Sequence, residues 1–401
     1  MNKKIKLLFR WGEYNQYTLC SLIGLLDERL DPGKFVIDTA ESARDITRAV
    51  NSGESSFTVI AYSVSTPRSN SVMDEIRSLK SALGEKIIVI CGGPHATALP
   101  ESLLEAGADA VFTGECEESL PDFLLGLYEK GRVPAGAVIP PLPLNDFDSY
   151  PPFAYKRDFL CPIELRRGCA SGCAFCQTPR IFREIRERSV DYAERYARII
   201  LEKGREHVFF TMPDALSYGS ARGEVALETI EKLLSRLKGT GIKVHMGSFP
   251  SEVSPRKLAR SPEAAGILKK YVENTRVTIG GQSGSERTLR IMRRPHSVDD
   301  VKESAKILRD AGFTPLVDIL FGIPGEGPDD RMDTLRLMKT LSREQAARYN
   351  VHYFMPLPET PLEGKDPEPV EDYIKEDVLK MMKNGVAEGD FFSQMQAGCL
   401  N

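Results

Sequence analysis

Short apolar runs and amphipathic stretches alternate from the N-terminus to about residue 130, the pattern of a parallel α/β sheet. The spacing predicts strands at 5–9, 35–38, 57–63, 86–90 and 110–112, each followed by a polar or Gly-rich turn, at 11–14, 63–67, 92–95 and 113–115 among others. In an open parallel sheet such turns gather beyond the carboxyl ends of the strands, where ligands bind. Between 133 and 153 the pattern breaks on Pro134, Pro140, Pro141, Pro143, Pro151 and Pro152, which sustain neither a helix nor a central strand. A second series follows, with strands predicted at 163–166, 207–211, 243–247, 276–280, 315–321 and 350–354. Six strand–helix units make a partial barrel. Leu227, Ile230, Leu233, Leu234 and Leu237 recur at helical spacing and mark a core-facing helix, and 372–383 reads as an acidic helix. The expected organisation is a first domain over 1–132, a Pro-rich linker over 133–158, the barrel over 159–360 and a cap over 361–401. Phe391, Phe392 and Gln394 in that cap suggest a lid or a cover for the open barrel.

Composition narrows the class. With 41% hydrophobic and 27% charged residues, the chain has the make-up of a globular protein. A net charge of −4 gives no electrostatic footprint for wrapping nucleic acid. The apolar start is interrupted by Arg10 and Glu13 before a signal-peptide core forms, and no run approaches the ~20 apolar residues of a membrane span. The expected location is cytoplasmic, with no membrane partner and no nucleic acid.

Three of the eight cysteines crowd into Cys169-Ala-Ser-Gly-Cys173-Ala-Phe-Cys176, directly after the strand at 163–166. This is a loop at the carboxyl end of the second sheet, where barrel folds place chemistry. Three close thiolates hold one cubane and leave its fourth iron without a protein ligand, and Gly172 lets the loop turn around the sulfurs. A structural zinc site asks for four ligands, and only Cys161 lies nearby as a fourth. Cys20, Cys91, Cys116 and Cys399 read as ordinary buried or surface residues.

The CxxxCxxC spacing, with Phe175 before the last cysteine, closely resembles the radical S-adenosylmethionine (SAM) superfamily. So do Thr211-Met212-Pro213-Asp214, Gly280-Gly281-Gln282-Ser283-Gly284-Ser285-Glu286, Phe321-Gly322-Ile323-Pro324-Gly325-Glu326 and the run from Phe354 to Pro361, so that the resemblance covers about 161–358. It implies a [4Fe-4S] cluster on Cys169, Cys173 and Cys176, whose open iron chelates SAM and whose electron cleaves it to a 5′-deoxyadenosyl radical. It also implies SAM contacts from Phe175, Met212, Asp214, Gln282, Ser283, Ile323 and Pro324. Related enzymes often carry Glu at the position of Gln282, which keeps hydrogen bonding but loses the charge. For Asp214 and Gln282, turn capping is the alternative role.

The first domain lacks Gly-x-Gly-x-x-Gly after its first strand, against a dinucleotide. Its Gly92-Gly93-Pro94-His95 turn and the run from Ala108 to Glu118 resemble the cobalamin-binding domain of cobalamin-dependent (class B) radical SAM enzymes, over about 5–130. The resemblance implies cobalamin contacts from Tyr14, Ser63, Val64, Ser65, Thr66, Arg68, Gly92, Gly93, His95, Thr97, Gly114 and Glu115. Small residues at Ser63, Ser65, Gly92, Gly93 and Gly114 let backbone approach a bulky planar ligand. The Asp-x-His-x-x-Gly motif that supplies a histidine to cobalt elsewhere is absent. Cobalamin is therefore expected without a histidine lower ligand, with His95 a wall or hydrogen-bonding residue.

The fold class expected is thus α/β: an N-terminal Rossmann-like cobalamin-binding domain, a partial (β/α)6 radical SAM barrel and a short C-terminal cap. The family's activity implied here is methylation of an unactivated sp3 carbon, with methylcobalamin as donor, the deoxyadenosyl radical as hydrogen abstractor and a ferredoxin or flavodoxin as electron donor. Chain size, the short cap and motif wording resemble the archaeal enzymes that methylate side chains of methyl-coenzyme M reductase, the glutamine C-methyltransferases among them. The alternatives are a rearrangement or cyclisation, a small-molecule substrate, or a metal-bearing binding protein. No catalytic side chain is named by sequence.

Overall fold

The computed structural model describes residues 4–52, 57–133, 136–220 and 224–398; Pro134 and Cys399 lie outside them. The chain divides into two compact units, one of residues 1–162 with 180–182, the other of residues 163–179 with 183–401.

The first unit is a six-stranded parallel sheet: β1 (Ile5–Arg10), β2 (Phe35–Ala40), β3 (Phe57–Ser63), β4 (Ile87–Gly92), β5 (Ala110–Phe112) and β6 (Ala137–Ile139), in the order β2-β1-β3-β4-β5-β6. Central β3 is buried on both faces through Thr58–Tyr62, as its unbroken Thr-Val-Ile-Ala-Tyr run requires. Near the edge, β2 alternates buried Phe35 and Ile37 with exposed Val36 and Asp38. Chain order reverses between β1 and β3, which is the switch point where a doubly wound sheet opens a crevice.

The proline-rich stretch expected as a linker belongs to this unit. It supplies edge strand β6, the place in a sheet that tolerates neighbouring prolines. Phe147, Tyr150 and Phe153 beyond it are at most 5% exposed, each burial contributing roughly 2–3 kcal/mol. Arg157 then grips Asp27 with two 2.6 Å hydrogen bonds and donates a third to the Ile37 carbonyl. Apolar anchors hidden among prolines are the signal that the composition masked.

The second unit contains β7 (Ile163–Glu164), β8 (Arg166–Arg167), β9 (Arg186–Glu187), β10 (His207–Thr211), β11 (Lys243–His245), β12 (Arg276–Gln282), β13 (Thr314–Phe321), β14 (Arg348–Tyr353) and β15 (Ala387–Glu388). Parallel sheets β11-β10-β7 and β12-β13-β14-β15 are joined by parallel bridges Val244–Val272 and Val253–Ile279. The six strands of the sequence pattern therefore follow one another around a partial barrel, with β8 and β9 forming a separate antiparallel pair. The helix Leu227–Gly239 buries Ile230, Leu233, Leu234 and Leu237, and the helix Asp372–Lys383 forms as predicted.

The chain's end is part of this framework. Phe391 is fully buried against Phe321 and Tyr353, and the Gln394 carboxamide oxygen accepts from the Tyr353 N–H at 2.8 Å. These contacts cover the β14 side of the barrel, with β15 completing the pairing. Among the described residues no helix is long and apolar enough to cross a membrane.

Candidate functional sites in the two units

In the first unit, the turns after β1, β3, β4 and β5 leave the sheet at one end because all six strands are parallel. Val64 is wholly buried; its N–H donates to the Gly92 carbonyl at 2.8 Å, and its carbonyl accepts from the His95 N–H at 3.0 Å. Thr97 ties the next turn down, donating to the Gly93 carbonyl and accepting from the Gly114 N–H at 2.9 Å. These backbone ties make a rigid rim.

Gly93 sits at φ +98°, and a methyl there would come within 2.8 and 2.9 Å of the Val64 backbone. Its smallness serves the approach of the protein's own β3 turn, which revises the expectation that it makes room for the ligand. At Gly92 a methyl would meet only Phe112, at 3.8 Å, so this glycine does leave space. His95 is 4% exposed, with Nδ1 3.3 Å from Thr66 Oγ1 and Nε2 3.2 Å from Ser102 Oγ, and burial holds its pKa below the ordinary value. Both ring nitrogens thus have hydroxyl partners.

The structure separates the residues on and beside the β1 and β3 turns. Val64 is inside, and the Tyr62 hydroxyl is held by Glu75, which also binds Arg10. Tyr14 and Arg68, on the β1 and β3 turns, remain exposed, the guanidinium 4.6 Å from the ring centre. They flank the switch-point crevice. Ser63, Ser65, Thr66 and Glu115 are half-buried on the same rim.

In the second unit the cysteine loop is tied down over its second half. Ala174 N–H donates to the Met292 carbonyl, Cys176 N–H to the Cys173 carbonyl, and the Gln177 amide to the Pro358 carbonyl. Burial raises the Cys176 thiol, with smaller contributions from Cys173 and Cys169, so the three sulfurs sense one another. Among the described residues no three His, Cys, Asp or Glu side chains converge to hold a single metal ion. Three cysteines that share a neighbourhood without meeting at one point fit a cubane, in which each thiolate takes its own iron. Cys161, in the first unit, has its thiol paired with that of Cys20 and 3.9 Å from the Gln16 carbonyl.

Arg294 completes this site, donating to Cys173 Sγ at 3.0 Å and to the Gly280 carbonyl at 2.9 Å. Its charge faces the Cys173 sulfur, where it would offset the negative charge of a ligated thiolate. A methyl on Gly280 would lie 3.0 Å from Arg294 Nη2, 3.0 Å from Gln282 Nε2 and 3.2 Å from Glu252 Oε2. The missing side chain is what lets these three polar ends meet. Gln282 stands at φ +59° on a bulge of β12, 7% exposed and with Oε1 unpartnered. Thr211 Oγ1, Arg294 Nε and Asp318 Oδ1 are likewise buried without partners. Gln282 Oε1 and Arg294 Nε, orphaned in side chains that meet at Gly280, one of them on a left-handed non-glycine, mark a place for a polar ligand.

The remaining sequence-predicted residues divide. The Asp214 carboxylate accepts from the Leu216 and Ser254 N–H groups and from Ser217 Oγ, and pairs with Lys257 at 3.0 Å, so it is engaged within its own turn and the 251–257 segment. Ser283 is fully buried and bonded to Thr334 at 2.9 Å. Met212 and Ile323 are buried, while Pro324 and Phe175 are half-buried. Glu252 and Arg294 were missed: each lies in a loop outside any motif, and only folding sets Arg294 beside Cys173 and Glu252 beside Gln282.

Glu326 braces the 321–326 turn, its Oε2 accepting from the Gly322 N–H at 2.9 Å. Burial raises its pKa to about 7 from 4.5. The folded state therefore holds this proton more tightly than the unfolded chain, and the associated stability, on the order of 3 kcal/mol, is full below pH 4.5 and lost as pH rises through about 7. Glu326→Gln keeps the acceptor without the titration. Thermal unfolding at pH 5 and pH 8 should show the variant gaining on the native chain as pH rises.

Comparisons with known proteins converge on the same division. Residues 36–124 match the B12 binding domain and residues 163–338 the Radical SAM superfamily. An uncharacterized protein of Methanopyrus kandleri is 26% identical over 67% of this chain, which spans 60% of that relative's length. A tRNA-2-methylthio-N(6)-dimethylallyladenosine synthase of Acidithiobacillus ferrooxidans is 26% identical over 76% of this chain and 67% of its own. The solved radical SAM methyltransferase TsrM from Kitasatospora setae, with cobalamin and a [4Fe-4S] cluster bound, superposes with a TM-score of 0.67 at 16% identity, over 90% of this chain and 74% of its own. The fold is that of the cobalamin radical SAM enzymes, and the two domains imply cobalamin, a [4Fe-4S] cluster and SAM as cofactors.

Proposed function

We propose that this chain, a B12-binding domain joined to a radical SAM domain, is a radical SAM methyltransferase acting on an unactivated sp3 carbon of a protein or peptide side chain. The observation that carries the reading is the Cys169–Cys173–Cys176 loop with Arg294, Glu252 and Gln282 around it, in one chain with a B12-type sheet. When bound, the cluster and SAM supply a 5′-deoxyadenosyl radical that removes a substrate hydrogen atom, and cobalamin supplies the methyl group.

The chain's own residues hold and orient these groups. The three cysteines take the cluster. Arg294 and Glu252 match the carboxylate and the ammonium at the methionine end of SAM, charge for charge. Gln282, without charge, offers a carboxamide oxygen as an uncharged acceptor, while buried Ile323 and half-buried Pro324 wall the adenine side. In the other unit, the Tyr14–Arg68 pair and the open space at Gly92 would receive the corrin, with His95 held by Thr66 and Ser102. The substrate put first is a glutamine of methyl-coenzyme M reductase, supported by the motif resemblance, with a ferredoxin or flavodoxin as electron donor in the cytoplasm.

Anaerobic turnover with SAM carrying a deuterated methyl group tests the reaction type. Label in the product supports methyl transfer; an altered product without label turns the reading to rearrangement or cyclisation. Failure to assemble about four irons and four sulfides, with no 5′-deoxyadenosine formed, removes the enzyme reading altogether.

A further inference from the structure

Along β13 and β14 the side chains alternate between helices and barrel interior. Val317 lies against Val301 and Gly281, and the Tyr349 hydroxyl donates to the Met338 carbonyl, so these two face the helices. Asp318 and Asn350, paired in register on the neighbouring strands, therefore face the interior. Barrel interiors are usually filled with branched apolar side chains. Here Asp318 is 7% exposed; its carboxyl is hydrogen-bonded to Asn350 and Glu252, while its Oδ1 is left without a partner. A buried acceptor left unpaired costs about 1–3 kcal/mol, and such groups persist where a ligand completes them.

We propose, resting on the radical SAM reading above, that Asp318 and Asn350 form the subsite that anchors the substrate, and that the group they take is a primary carboxamide. The carboxamide N–H2 donates to the free Asp318 Oδ1 while its carbonyl accepts from the Asn350 amide. This fixes which carbon of the attached chain is presented to the radical.

The surroundings select among polar groups. Burial, and then the adjoining Glu252 carboxyl, raise the Asp318 pKa well above the ordinary carboxylate value, with Asn350 and Arg294 opposing. An apolar group would leave Oδ1 unpaired, as before. A carboxamide brings both a donor and an acceptor without charge.

The test uses the reconstituted full chain and three probes with a common backbone: the N-acetyl methylamides of glutamine, methionine and lysine. Binding is followed by saturation-transfer NMR and competition, beside SAM binding and 5′-deoxyadenosine formation in the same samples. The glutamine probe should bind at least about tenfold more tightly than the methionine probe, a discrimination of ~1.4 kcal/mol. Asp318→Leu should bring that ratio to within about twofold, with iron content unchanged. The near-isosteric Asp318→Asn provides a variant expected to fold if Leu does not, and because its amide can turn N–H2 toward the ligand it should lower the ratio by about threefold or more. Equal binding of glutamine and methionine probes, preference for lysine, or a preference unchanged in both variants would overturn the proposal. SAM cleavage without carboxamide preference counts against this subsite alone; carboxamide preference without SAM cleavage counts against the enzyme reading.

Discussion

Cys173→Ala, reconstituted anaerobically, is expected to lose the iron–sulfur absorption and to form no 5′-deoxyadenosine above background. Two remaining thiolates do not hold a cubane that needs three. Cys173 is also the buried member of the set, 7% exposed, and its sulfur is the acceptor for Arg294. Its loss leaves a guanidinium N–H without that partner, a further cost of about 1–3 kcal/mol. Iron and sulfide analysis with product chromatography checks the first claim. Hydroxocobalamin binding, read by its visible spectrum, should persist, because the rim around Val64, Gly92 and Thr97 is built wholly within the first unit. Loss of both cofactors would show that the units do not hold them independently.

Gly93→Ala should be far more damaging than the same methyl at Gly92. At φ +98° with ψ near 180° the residue occupies a region essentially confined to glycine, and the added carbon meets the Val64 backbone at 2.8 and 2.9 Å. Strain of roughly 1–3 kcal/mol and overpacking of a similar size add. Relief requires breaking the Val64–Gly92 and His95–Val64 bonds that shape the rim. A large fall in melting temperature and a loss of cobalamin affinity are expected together. Gly92→Ala, whose methyl finds only Phe112 at 3.8 Å, should retain the native melting temperature. If the two alanines behaved alike, the tight approach of the β3 and β4 turns would not be what Gly93 serves.

What was legible beforehand follows from the range of the interactions involved. Strands such as 57–63 and 207–211 appear at their predicted bounds because burial on both sides of a parallel sheet, or on alternate sides of a barrel, leaves a mark within a few neighbouring residues. The cysteine loop is local too, with three cysteines inside eight residues and a glycine at the turn. The stretch at 133–158 was harder, since prolines speak against regular structure while Phe147, Tyr150 and Phe153 find their partners far away in sequence.

Sequence by itself thus determined the class of each unit and picked out the cysteine cluster of the second, since hydrophobic period and cysteine spacing are properties of short segments. Tertiary structure decided what surrounds them. Arg294 reaches Cys173 across 121 positions, Glu252 and Gln282 meet over the missing side chain of Gly280, and Asp318 faces Asn350 because β13 and β14 run in that register. Charges and hydrogen bonds act over a few ångströms of space, and no pattern along the chain records which distant loops the barrel brings within that reach.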